Sequence, residues 1–170
     1  KARELAETYY GPIPAKGQAE PRVRPQEPAQ KSPRRMEMHD ARVAQPTLIR
    51  SYLATERNSG DQRRAAALTV LSELLGGSMQ TSVLGRELAL TGKAIWVGAG
   101  YDGLAVDPTT FSISMVPAQD MSTEQAEQLL DQSLAKFLEA GPDEDDLERV
   151  KTRIRAARIY ARDSAHGRAY

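Results

Sequence analysis

Leu71–Tyr101 reads LSELLGGSMQTSVLGRELALTGKAIWVGAGY, and its order of elements decides the fold. An amphipathic helix runs into Gly76-Gly77, a glycine stop. A polar break follows, then a short helix over Thr81–Leu90, then an apolar strand over Ala94–Tyr101. No catalytic motif lies in the stretch.

Working outward, the first helix begins near Gln62, with Asp61 as its candidate N-cap. It carries Leu68, Leu71 and Leu75 on one face, widened by Ala66, Val70 and Leu74. Before it, Arg34–Val43 alternates through Met36 and Met38, and Thr47–Thr55 through Ile49 and Leu53; both segments predict strands. After it, Thr109–Val116 alternates at Phe111, Ile113 and Met115, with Asp102-Gly103 and Asp107-Pro108 supplying turn chemistry between the strands. Ser122–Ala140 opens with Ser122-x-x-Gln125, a capping box, and is expected to bury Ala126, Leu129, Leu130, Leu134, Phe137 and Leu138 at helical spacing. Gly141-Pro142-Asp143 closes that helix and starts the last one. The last helix begins acidic (Asp143, Glu144, Asp145, Asp146) and ends basic (Arg153, Arg155, Arg158, Arg162), as its dipole favours. Its apolar stripe is Leu147, Val150, Ile154, Ala157 and Ala161.

The predicted order is β β α α β β α α. Consecutive strand pairs point to a mainly antiparallel sheet, and long helices with one apolar face point to packing on one side of it. The fold class is therefore α+β, a two-layer sandwich.

Composition sets the limits. The 170 residues can bury one substantial core. Lys+Arg and Asp+Glu number 23 each, so the chain carries no electrostatic footprint for nucleic acid. Without cysteine there are no disulfides or thiolate metal sites, while both bacterial periplasm and cytoplasm stay open as compartments. No apolar run is long enough to span a membrane. Gly11–Pro33 holds Pro12, Pro14, Pro21, Pro25, Pro28 and Pro33, a composition that predicts an extended linker. The first residue is Lys1, and elements at both ends lack clean caps, so we expect a piece of a longer polypeptide.

Candidate chemistry is sparse. His39, beside Asp40, reads as a strand-end histidine in preference to a metal ligand, since zinc needs three or four convergent ligands. His166 lies near the end of the chain. Gly76-Gly77-Ser78 lacks the lysine and spacing of a phosphate loop. Gly98-x-Gly100 within a strand marks a bulge or a close backbone approach. A nucleophilic triad would need Ser82 or Ser164 beside a histidine and a carboxylate, and no motif supports one. Lys151, Arg155, Arg158 and Arg162 share a helix face, read as solvated. On the residues alone, this is a non-catalytic α+β domain.

Several segments, in order, resemble the pitrilysin/insulinase family of zinc peptidases, the inverted zincins, which include processing peptidases. Ala6–Pro14 (AETYYGPIP) is similar to the segment that closes the family's catalytic-type domain ahead of a linker. Leu68–Leu90 is similar to its run of helix, glycines and short helix. Ala99–Phe111 (AGYDGLAVDPTTF) is similar to its strand and turn, Val116-Pro117 to its strand end, and Gly141–Lys151 (GPDEDDLERVK) to the start of its last long helix. Arg158–Ala169 is similar to that helix's continuation.

The resemblance implies the inactive C-terminal-type domain of a clamshell peptidase half. It implies three parts: the last helix of a preceding catalytic-type domain at residues 1–10, a linker at 11–33, and the inactive-type domain, truncated at its C-terminus, at 34–170. In the family, zinc is held in the first domain by His-x-x-Glu-His and a distant glutamate, with the motif's glutamate activating water. That motif is absent here, so no cofactor is expected in this fragment and zinc is expected in the parent protein, upstream. An arginine and a tyrosine in the family's second half contact substrate. Ala89 stands at the arginine position and Ile95 at the tyrosine position, with one residue fewer between them. Arg86, Gly98, Gly100 and Tyr101 lie nearby as possible chamber wall. The implied partners are a peptide substrate, the preceding catalytic domain and a second homologous subunit. Loss of the Arg/Tyr pair fits the second domain of a zinc-bearing metallopeptidase subunit, and equally a degenerate scaffold subunit.

Overall fold

A computed structural model describes residues 1–14, 17, 23–25, 28, 30–58 and 60–163. Helix α1 (Ala2–Tyr10) buries nothing. The remaining elements are β1 (Leu48–Ala54), α2 (Arg63–Gly76), a π-helical turn (Gly85–Ala89), β2 (Ala94–Tyr101), β3 (Thr109–Pro117), α3 (Thr123–Ala140) and α4 (Glu144–Ala161). The strands form an antiparallel sheet in the order β1-β3-β2. The helices that touch it pack on one face, as the α+β sandwich requires.

β3 sits at the centre, and its alternation is the axis of the core. Phe111, Ile113 and Met115 all point at the helices, and Met115 is fully buried. Around them close Leu75 of α2, Leu84 just before the π-turn and Leu88 within it, Val97 of β2, and Ala126 and Leu130 of α3. The capping box of α3 forms on both sides: Ser122 Oγ accepts from the Gln125 amide, and Gln125 Oε1 accepts from the Ser122 amide. Gly141 ends α3 at φ +75°, a conformation that other residues rarely adopt. Asp143 caps α4, its carboxylate accepting from the Asp146 amide at 3.0 Å.

Three expectations are corrected, and pairing adds which way β1 faces. Arg34–Val43 forms no strand: Met36 and Met38 are 89% and 81% exposed, and the segment has no ladder partner to satisfy its backbone. Its Arg35 instead pairs with Glu124 and Glu127 of α3. β1 keeps its predicted period, but Ile49 and Leu53 face away from the helices. The register with β3 points Leu48, Arg50, Tyr52 and Ala54 inward, and Arg50 reaches Asp131 and Glu127 on α3. Asp61 does not cap α2 directly; Gln62 occupies that position, while Asp61 accepts from the Arg63 amide at 3.0 Å. Leu138, read as buried, is 80% exposed at the margin of α3.

The sheet face opposite the helices is open. Pairing places on it Ile49, Ser51 and Leu53 of β1, Thr110, Ser112, Ser114 and Val116 of β3, and Trp96, Gly98 and Gly100 of β2.

Candidate functional site

The glycines explain how the Leu71–Tyr101 stretch is assembled. Gly76 and Gly77 end α2, yet neither takes a positive φ. A Cβ on Gly76 would stand 1.9 Å from the Ala99 amide nitrogen and 2.5 Å from the Gly98 carbonyl carbon. The helix end therefore lies backbone against backbone on β2. Gly98 is the other half of this contact: on the open face, the Trp96 indole lies across it, 2.7 Å from where a Cβ would be. The close approach expected of Gly98-x-Gly100 is thus made at Gly98, from both sides. The bulge falls elsewhere, between Ala94 and Trp96, and Ile95 is the extra residue there, about half exposed. Nothing lies within 4 Å of a Cβ on Gly100.

The π-turn is held by its neighbours. The Leu90 amide donates to the Gly85 carbonyl at 2.9 Å, and the Ser82 hydroxyl accepts from the Gly85 amide at 3.2 Å. Ser82 is buried and engaged in this turn. Ala89 ends the turn and packs partly buried against the core. Arg86 donates to the Thr81 carbonyl at 2.7 Å and to Asp146 of α4 at 2.5 Å. Arg149 joins both acceptors, at 2.6 Å to Asp146 and 3.2 Å to Thr81. The Arg86 hydrogen bond holds the Asp146 carboxyl below its ordinary value, against a smaller upward push from burial. Asp146 is the residue that sequence reading passed over: it looked like one of four helix-start acids, and only its partner across the fold distinguishes it.

Tyr101 faces the helix side and donates its hydroxyl to the Thr55 carbonyl at 2.5 Å. Nearby, the Arg57 amide donates to the Gly103 carbonyl at 2.8 Å, so the β2–β3 loop is tied to the segment after β1. The six sequence-selected positions therefore occupy different surfaces. Gly98 and Gly100 lie on the open sheet face, Ile95 at the bulge beside it, Arg86 and Ala89 on the π-turn, and Tyr101 on the helix side.

Between α2 and α3, over the β1 end of the sheet, a groove of about 550 Å³ is lined by Leu68, Leu71, Phe111, Leu134 and Phe137. Among the described residues no group of three or more His, Asp or Glu side chains converges, and exposed His39 lies 3.2 Å from the Glu37 carboxylate. These residues do not fit a zinc ion. No helix among them is long and apolar enough to cross a membrane. His166 and Ser164, with Pro21 of the linker, lie outside the described residues.

Residues 1–154 match the family described as the peptidase M16 inactive domain. The chain belongs to that family. Three solved structures share the M16 inactive-domain fold seen here. A protease from Helicobacter pylori aligns over 98% of this chain and 40% of its own, with TM-score 0.85 and 22% identity. A peptidase M16 inactive domain from Pseudomonas fluorescens aligns over 64% of this chain and 25% of its own, with TM-score 0.54 and 23% identity. A protein described as a candidate zinc protease from Bordetella pertussis Tohama I aligns over 71% of this chain and 64% of its own, with TM-score 0.57 and 15% identity. The M16 chain spans less than two thirds of the length of each of these proteins. No curated protein matches it.

Proposed function

We propose that this chain is the non-catalytic domain of a zinc-dependent metallopeptidase and that its open sheet face forms part of the wall of a peptide-binding chamber. The zinc ligands would lie in the parent polypeptide upstream of Lys1, in the domain to which α1 would belong. A second homologous subunit would complete the chamber. The observation that carries this reading is the family match over residues 1–154, to a domain type named as inactive.

The test uses the natural full-length polypeptide. Metal analysis should find stoichiometric zinc in it, and peptide turnover should be lost on chelation; the 170-residue chain should show neither. A parent that encodes no His-x-x-Glu-His upstream of Lys1 would overturn the proposal.

A further inference from the structure

Residues 35–43 form neither helix nor strand, yet the run is held at both ends. At its start, Arg35 pairs with Glu124 and Glu127 of α3. At its close, the Asp40 carboxylate accepts from the Arg42 amide at 2.9 Å, and the Asp40 carbonyl accepts from the Val43 amide at 2.9 Å. Between these anchors lies Met36-Glu37-Met38-His39. None of its backbone groups takes part in a backbone hydrogen bond, so it can close around an ion without breaking one.

The side chains of these four positions form an uncommon donor set. The chain has five methionines and two histidines, and three of these seven fall here. Met36 and Met38 are two positions apart, with Cα atoms no more than about 7 Å from each other, so both thioethers can reach one ion. His39 follows directly and adds an imidazole nitrogen. Glu37 stands one step further out, its carboxylate 3.2 Å from His39 Nε2. A carboxylate on one ring nitrogen orients an imidazole and leaves the other, Nδ1, for a metal. Two neutral sulfurs and one nitrogen are a poor set for zinc, which takes four ligands in a closed site, and for calcium or magnesium, which take oxygen. Thioether is a soft ligand that selects Cu(I), and imidazole suits copper as well. Cuprous ion is satisfied by two or three ligands, so this short run suffices without help from the rest of the fold.

We infer that Met36, Met38 and His39 bind one cuprous ion. The site is separate from the zinc expected upstream and does not depend on the chamber-wall reading.

The test is anaerobic titration with Cu(I), held reduced by ascorbate and measured in competition with a chromogenic chelator. The 170-residue chain should take up one equivalent with a Kd of about 1 µM or tighter. Zinc should bind about a hundredfold or more weakly. Met36→Leu combined with Met38→Leu keeps the size and apolar character of both side chains and should weaken Cu(I) by about tenfold or more, with the circular dichroism spectrum unchanged. His39→Ala should weaken it as well, while His166→Ala should leave it unchanged. With methyl-labelled methionine, Cu(I) should shift the resonances of Met36 and Met38 and leave that of buried Met115 in place. The full-length polypeptide should bind Cu(I) through the same two methionines. Uptake that the double leucine variant retains is adventitious and would overturn the inference, as would zinc binding of equal strength. A full-length polypeptide that takes up no Cu(I) would also overturn it, by showing that the run is covered in the whole protein.

Discussion

Replacing Gly76 by alanine puts the helix–sheet contact to a direct test. The new Cβ would meet the backbone of β2: the Ala99 nitrogen at 1.9 Å, the Gly98 carbonyl carbon at 2.5 Å and the Gly98 Cα at 2.8 Å. No flexible side chain can move aside, so α2 must lift from β2. That lift would open the packing of Leu75 against Val97 and Ile113. Overpacking of this kind costs about 1–3 kcal/mol, and backbone partners place it at the upper end. Alanine regains up to about 1 kcal/mol of helix propensity, less at the last helical position. The net loss is about 2 kcal/mol, or about 4–8 °C in Tm for a chain of this size. Gly100→Ala is the control, since a Cβ there meets nothing within 4 Å; its Tm should stay within about 2 °C of the parent. Thermal unfolding followed by circular dichroism measures both. A Gly76→Ala variant as stable as the parent would show that Gly76 serves only to end the helix, and the backbone-contact argument would be wrong.

Three further outcomes follow from the same geometry. Asp146→Asn should cost about 1 kcal/mol at neutral pH, because Arg86 and Arg149 are nearly half exposed and water screens them. The folded-state pKa of Asp146 is lowered, so its contribution is full above the ordinary value of 3.8 and fades as pH falls through the folded value. Urea unfolding at a series of pH values should show parent and variant converging only in that acid range; a constant gap down to the lowest pH would refute the pairing. Ser122→Ala removes an oxygen that accepts from the Gln125 amide and should lower stability by about 1 kcal/mol, read as a fall of about 2–4 °C in Tm. Tyr101→Phe deletes the bond to the Thr55 carbonyl, for about 0.5–1.5 kcal/mol. It should speed hydrogen exchange at the Arg57 amide, whose bond to Gly103 closes the same corner; unchanged exchange there would show that Tyr101 does not brace it.

The sequence alone determined several elements whose signal is local. The β3 alternation at Phe111, Ile113 and Met115 and the Ser122–Gln125 box each depend on residues a few positions apart, and each appears as read. The inactive-domain family was legible as well, because ordered short motifs survive where individual residues drift. Tertiary structure decided what local signals leave degenerate. A period of two fixes that Ile49 and Leu53 share a face, but not which face; the register with β3 and the reach of Arg50 to α3 turned them outward. Met36 and Met38 alternate like a strand, yet a strand exists only when another strand takes up its backbone bonds. Gly76 looks like any helix stop until β2 is laid against it, and Asp146 like any first-turn acid until Arg86 arrives. The open sheet face is of the same kind. Its ten positions come from three strands separated by up to 67 residues, and only pairing puts them side by side.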